Sequence, residues 1–145
     1  APANRDGSGG VWFMWNTMLG EALVDYGFRA EAAELTTRLM AACIRALRTE
    51  KAFREAYNAE TGEGLGERDY LWGVAPLALF LKVLGVRVIS PRKVWVSGRN
   101  PFPWPVTLKH KGVTVEKTAT TTRVTFPDGQ SFQPPDDRPQ FVEIP

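Results

Sequence analysis

The hydrophobic pattern changes period once along the chain, near Gly85. Before it, apolar residues recur at helical spacing. From about Val11 to Tyr26, one stripe holds Trp12, Trp15, Leu19, Ala22 and Tyr26, and Val11, Met14, Met18 and Leu23 make a second on nearly the opposite side. A helix apolar on most of its circumference is predicted to lie inside something larger. Asp6 or Ser8 is placed to cap it, and Gly27 to end it. A second helix is predicted from about Arg29 to Thr49. Leu35, Leu39, Cys43 and Leu47 form its apolar stripe, widened by Met40 and Ile44, and its acidic residues come early and its basic ones late, as the helix dipole favours.

A third helix is predicted to open near Asp69, become regular around Trp72 to Ala75 because Pro76 suits a first turn, and stop before Gly85. Lys82 is almost its only charge, so it too reads as buried on nearly all sides. After Gly85 short β-branched segments follow: Val86–Ile89, Lys93–Val96, Val106–His110, Val113–Glu116 and Arg123–Phe126, with turn signals at Lys111-Gly112 and Asp128-Gly129. The last stretch, Pro134 to Pro145, carries four prolines and reads as a tail along the surface. The predicted fold class is therefore mainly α with a C-terminal β appendage. Its divisions are a helical segment over 1–88, a small antiparallel β region over 89–133, and a proline-rich tail over 134–145.

Composition narrows the function classes only by exclusion. The 145 residues are 43% hydrophobic and 23% charged, ordinary globular values, with a net charge of +2. The basic residues are scattered, and the densest cluster is Lys109-His110-Lys111, so no stripe for nucleic acid is visible. No apolar run approaches a membrane span, and the polar, glycine-rich start is not a signal peptide; the reading is a cytoplasmic protein. A single cysteine, Cys43, excludes an internal disulfide. His110 lies between two lysines with no cysteine or acidic partners, and Asp136-Asp137 is too isolated for a calcium loop, so no metal and no cofactor is expected. The first residue is Ala, which points to a chain processed or cut from something longer.

Candidate chemistry concentrates in Phe53 to Gly66, F-R-E-A-Y-N-A-E-T-G-E-G-L-G. Glycines at every second position (Gly62, Gly64, Gly66) read as a loop whose backbone can take positive φ and approach a ligand. If the preceding segment is extended, Phe53, Glu55 and Tyr57 point the same way, placing a carboxylate between two rings. That is a common form of sugar site, and an ordinary solvated loop is the alternative.

The order of glycine-rich start, Val-Trp, helix ending Tyr-Gly, second helix, Glu-x-Tyr-Asn-x-x-Thr-Gly-Glu-Gly and an aromatic-Trp helix resembles the C-terminal end of (α/α)6-toroid glycoside hydrolases. The group concerned contains processing α-glucosidase I, mannosylglycerate hydrolase and, more remotely, trehalase, and the likeness covers roughly Gly7 to Gly85. It implies an incomplete toroid segment of inner, outer and inner helices. It also implies that Glu55 is the general base of an inverting mechanism, and that Trp12, Asn16, Tyr57, Glu63 and Trp72 bind substrate. Glu63 could equally accept hydrogen bonds from loop amides, and tryptophans on a helical stripe are more often core than sugar platform. Family members typically read Trp-Arg-Gly-Pro-x-Trp where this chain has Gly7-Ser8-Gly9-Gly10-Val11-Trp12, so the sugar-binding arginine is absent at Ser8. Gly73-Val74-Ala75-Pro76 also departs from the usual small-polar and alanine run.

An inverting glycosidase needs a second carboxyl group, roughly 6.5–9.5 Å from the first, to protonate the leaving oxygen. No residue here matches that acid. The implied partners are a carbohydrate substrate and an N-terminal remainder of the same protein, and the 145 residues alone are expected to be inactive. Two other readings stand beside this one: a non-catalytic carbohydrate- or protein-binding module, and part of a glycoside phosphorylase.

Overall fold

The computed structural model describes residues 9–145. The expected Asp6 or Ser8 cap lies outside the described residues. By internal contacts the chain forms two units, residues 1–80 and residues 81–145.

In the first unit, strand β1 (Val11–Trp12) leads into helix α1 (Phe13–Asp25). Trp12 is the residue before the first turn, and its side chain makes no capping bond. At the other end, the amide of Phe28 donates to the carbonyl of Leu23 (2.8 Å) and that of Gly27 to Val24 (3.1 Å), with Gly27 at φ +89°. This is a Schellman closure, and it needs the residue without Cβ at Gly27. Helix α2 (Arg29–Thr49) spans the predicted range. Its buried seam is Ala32, Ala33, Thr36, Leu39, Cys43 and Ala46, rotated from the expected stripe, with Ile44 and Leu47 exposed. Small residues along that seam let the neighbouring backbone come close, which outweighs the larger burial that Ile44 and Leu47 offer.

The chain then forms a hairpin, β2 (Arg54–Tyr57) and β3 (Gly64–Arg68), and β1 adds to β2 on its other side. A 3-10 turn (Leu71–Val74) precedes helix α3 (Ala75–Leu84). Gly20 of α1 sits against Leu79 of α3, where an added Cβ would stand 3.0 Å from Leu79 Cδ1 and closer still to Cδ2. Phe13, Leu39, Tyr57 and Leu79 are among the core residues of this unit.

The second unit holds two antiparallel sheets. In one, β5 (Lys93–Val96) lies between β4 (Val86–Ser90) and β10 (Gln140–Glu143). In the other, β6 (Val106–His110), β7 (Val113–Lys117), β8 (Thr122–Thr125) and β9 (Ser131–Phe132) follow in chain order. Between β6 and β7, Lys111 and Gly112 take φ +50° and +76°, the two positive values a two-residue type I′ turn requires. Val94, Val96, Val113, Val115, Val124 and Phe126 point inward. Lys117 is as buried as they are: its ammonium donates to the carbonyls of Leu84 (2.7 Å), Ser97 (3.0 Å) and Gly98 (2.7 Å). The expected C-terminal tail carries β10, whose Phe141 and Val142 pair with Trp95 and Val94.

The expectation of a mainly α chain is overturned. Of the described residues, 35% are helical and 29% lie in strands, the strands forming three antiparallel sheets. The physical reason lies partly in the stretch read as a loop. Its glycines interrupt side-chain packing but do not prevent ladder pairing, and β1 supplies a third strand to the hairpin. The inner, outer and inner burial expected of a toroid segment is not found either. Trp15 and Leu19 of one predicted stripe and Met18 of the other are exposed on α1, as are Tyr26 at its end and Leu71, Trp72, Val74 and Leu77.

Candidate functional site

The hairpin is irregular at one place. Arg54 pairs with Arg68 and Ala56 with Leu65, so Glu55 alone faces both Gly66 and Glu67. With Gly66 at φ +70°, this is a β-bulge whose first residue is a left-handed glycine. The carboxylate of Glu55 folds onto the bulge: Oε2 accepts from the amide of Glu67 (3.2 Å). An amide left out of the ladder by the extra residue is thus bonded by the side chain opposite it. Glu55 remains partly exposed.

Each glycine of the run makes room for one long charged side chain. Gly62 lies under the guanidinium of Arg45, Gly64 under Arg54 and Gly66 under Glu55. Arg45 donates to the carbonyl of Thr61, and Arg54 donates to that of Gly64 (3.3 Å) while its Nε stands 3.4 Å from Glu50 Oε2. The alternating glycines therefore receive the protein's own arginines and glutamate. Only tertiary contacts reveal this.

The three residues of the expected trio each pack on a different partner. Phe53 packs on Gly73, where an added Cβ would collide with it; Glu55 packs on Gly66; Tyr57 stacks on Phe13, ring centroids 4.4 Å apart. Tyr57 is 1% exposed, its hydroxyl accepts from the amide of Arg54 (3.3 Å), and burial pushes its ionisation up. Burial likewise raises the Cys43 thiol, which lies 3.8 Å from the carbonyl of Gly73.

Register places the other candidates. Trp12 is opposite Ala56, which is opposite Leu65, so these three share one face of the small sheet. Val11, Tyr57 and Gly64 share the other. On that second side an open groove of about 440 Å³ is lined by Val11, Phe13, Asn16, Leu39, Arg45 and Tyr57, among others. It brings Asn16 and Tyr57 together but does not include Glu55, Trp12, Glu63 or Trp72. Asn16 donates from Nδ2 to the carbonyl of Trp12 (2.8 Å), one turn back. Trp72 stands half exposed on the 3-10 turn.

Glu63 is exposed in the tight connection between β2 and β3, where its backbone carbonyl accepts from the amide of Asn58 (2.8 Å). Asn58 organises that connection: its Oδ1 accepts from the amides of Glu60 (2.9 Å) and Thr61 (3.0 Å). Neither Asn58 nor Gly66 was singled out from the sequence for these roles. The available signals were an asparagine opening a turn and a glycine among residues otherwise able to pair. Among the described residues, no group of three or more His, Cys, Asp or Glu is placed to hold a metal ion. None of their helices is long and apolar enough to cross a membrane.

Comparison with known proteins bears on this first half. Residues 4–73 match the family described as mannosylglycerate hydrolase MGH1-like glycoside hydrolase domain. Over 72 residues the chain is 42% identical to mannosylglycerate hydrolase of Thermus thermophilus, a match covering 50% of this chain and 16% of that protein. The chain thus spans only a small part of the length of the curated relative. No solved structure matches. Glu55 and every substrate-binding candidate from Trp12 to Trp72 fall inside the family match, and the second unit falls outside it. These matches support a glycoside hydrolase relationship for the N-terminal half.

Proposed function

We propose that this chain contributes the general base of an inverting glycoside hydrolase, acting on an O-glycosidic bond, and that Glu55 is that base. The observation that carries the reading is the placement of Glu55: a partly exposed carboxylate opposite a β-bulge, with one oxygen fixed by a backbone amide, inside the segment that matches a glycoside hydrolase domain. Bulges recur beside active sites, where they re-aim a side chain. A base that must orient one water gains from a carboxylate whose torsions are already restricted.

Trp12, Asn16, Tyr57, Glu63 and Trp72 are the residues proposed to shape the sugar site. Trp72 offers exposed ring surface. Tyr57, two residues along the same strand as Glu55, is packed on Phe13 and acts by supporting that strand. The acid that protonates the leaving oxygen comes, in this proposal, from polypeptide outside these residues. The exposed side chains of Trp15, Leu19, Leu71 and Leu77 support such a partner, since they offer it apolar surface to cover. The same surface favours the second reading, a non-catalytic module that binds carbohydrate or protein through its aromatic residues. A phosphorylase is distinguished from a hydrolase by whether turnover requires phosphate.

The test is Glu55→Gln in the polypeptide that carries this chain, assayed on α-linked glucosides and mannosides with mannosylglycerate included. Loss of a general base lowers turnover about 10²–10⁴-fold. Unchanged turnover with intact folding removes Glu55 from the mechanism. A first-formed sugar of retained anomeric configuration, followed by NMR, removes the inverting step.

A further inference from the structure

Gly66 has a property that none of the site candidates shares. It adopts φ +70°, and a Cβ built on it would overlap Oε2 of Glu55 and stand 3.0 Å from that residue's Cβ and 3.2 Å from its Cδ. Such overlap extends along the side chain from root to carboxylate, so turning the tip alone does not relieve it. Next along the chain, the amide of Glu67 is the donor to Oε2. The left-handed turn at Gly66 aims that amide at the carboxylate, and the missing Cβ leaves the space the carboxylate occupies. One residue thus supplies both halves of the restraint.

We propose that Gly66 is a positioning residue for Glu55: the bulge it forms fixes Oε2 against the Glu67 amide and directs the other oxygen, Oε1, toward the water of the hydrolytic step. This rests on the reading of Glu55 as base. No proton moves through Gly66 or through the Glu67 amide; the proton of the attacking water passes to Glu55, and the bulge sets only where that carboxylate stands. Gly62 and Gly64 do not share the role, because they lie against Arg45 and Arg54.

Gly27 provides the control. It too has a positive φ, +89°, but nothing lies within 4 Å of the Cβ it lacks. An alanine there strains the backbone without touching another side chain. The test compares Gly66→Ala, Gly66→Asn, Gly27→Ala and Glu55→Gln in the polypeptide that carries this chain, with kcat, KM and the Glu67 amide resonance as readouts. Asparagine tolerates the left-handed region, so Gly66→Asn keeps the fold if alanine does not, while still adding the Cβ.

Expected for both Gly66 variants is a kcat lowered about 10- to 100-fold, the cost of misplacing a catalytic group by roughly 1 Å, with KM within about twofold. The Glu67 amide resonance moves in the Gly66 and Glu55 variants and stays in Gly27→Ala, whose kcat is unchanged. Full kcat in folded Gly66→Asn, alongside loss in Glu55→Gln, overturns the positioning role and leaves the base intact. Equal loss of kcat in Gly27→Ala overturns it as well, since strain alone then accounts for the effect. Full turnover in Glu55→Gln overturns the base, and the positioning role with it.

Discussion

The two units solve the problem of apolar surface differently. In the second, strand alternation and burial agree: Val94, Val113 and Val124 are 0% exposed, and even an ammonium, that of Lys117, is enclosed and bonded to three carbonyls. A few large apolar chains remain in solvent there, Phe141 the most exposed among them. In the first, periodicity and burial disagree. Tyr26 is 81% exposed, Leu71 80% and Trp15 60%, while the small residues Gly20, Ala32, Ala33 and Ala46 are buried. A sheet face settled by its own strands tells little about partners. A helix whose apolar side faces water is what the proposed remainder of the polypeptide would cover.

The largest effect expected from breaking this contrast lies in the second unit. Lys117→Met removes the ammonium donor from two buried carbonyls and one partly buried carbonyl and should destabilise that unit by about 3–5 kcal/mol. Urea denaturation followed by tryptophan fluorescence measures it, and an unshifted midpoint would mean that other donors replace the ammonium. Next in size is Gly20→Ala in the first unit. The new methyl overlaps Leu79 in a closely packed seam, at a cost of about 1–3 kcal/mol. A change below about 0.5 kcal/mol in thermal melts would show that Leu79 can retreat without loss.

The smallest effect sharpens the comparison most. Trp15→Ser and Leu71→Ser should each alter the stability of the 145-residue chain by no more than about 0.5 kcal/mol, because both side chains stand largely in solvent. In a longer polypeptide that covers this surface, the same changes should each cost about 2 kcal/mol. Equal effects in the two settings would mean that the surface stays uncovered.

Much of the local structure was legible because it depends on near neighbours. Arg29–Thr49 runs as predicted, since its charges follow the dipole and its apolar residues keep a helical period. Lys111-Gly112 turns where it should, and most strand limits of the second unit fall within a residue of expectation. The sheet made by β1, β2 and β3 was not legible. Val11-Trp12 has no strand signature of its own, and it becomes a strand only by pairing with residues more than forty positions away. The rotated seam of α2 was hidden for a related reason: which side of a helix is buried depends on what lies against it, and here small residues win over large ones.

The candidate site divides in the same way. Glu55, its flanking aromatics and the three glycines can be read as a cluster by anyone looking for a sugar site. The alternation that would set Phe53, Glu55 and Tyr57 side by side assumes that all three lie in one strand, whereas β2 begins only at Arg54. In the structure Tyr57 packs on Phe13, and Glu55 lies against Gly66 and the Glu67 amide.

By itself, then, the sequence determined the elements whose causes are local: the helix and strand periods, the turns that need positive φ, and the chemistry gathered between Phe53 and Gly66. Tertiary structure alone decided which apolar faces are covered, that the glycine run is a bulged hairpin, and what each glycine accommodates. The physical reason is that backbone preference acts over a few residues. Burial, register and the direction of a carboxylate depend on groups that folding brings from elsewhere in the chain.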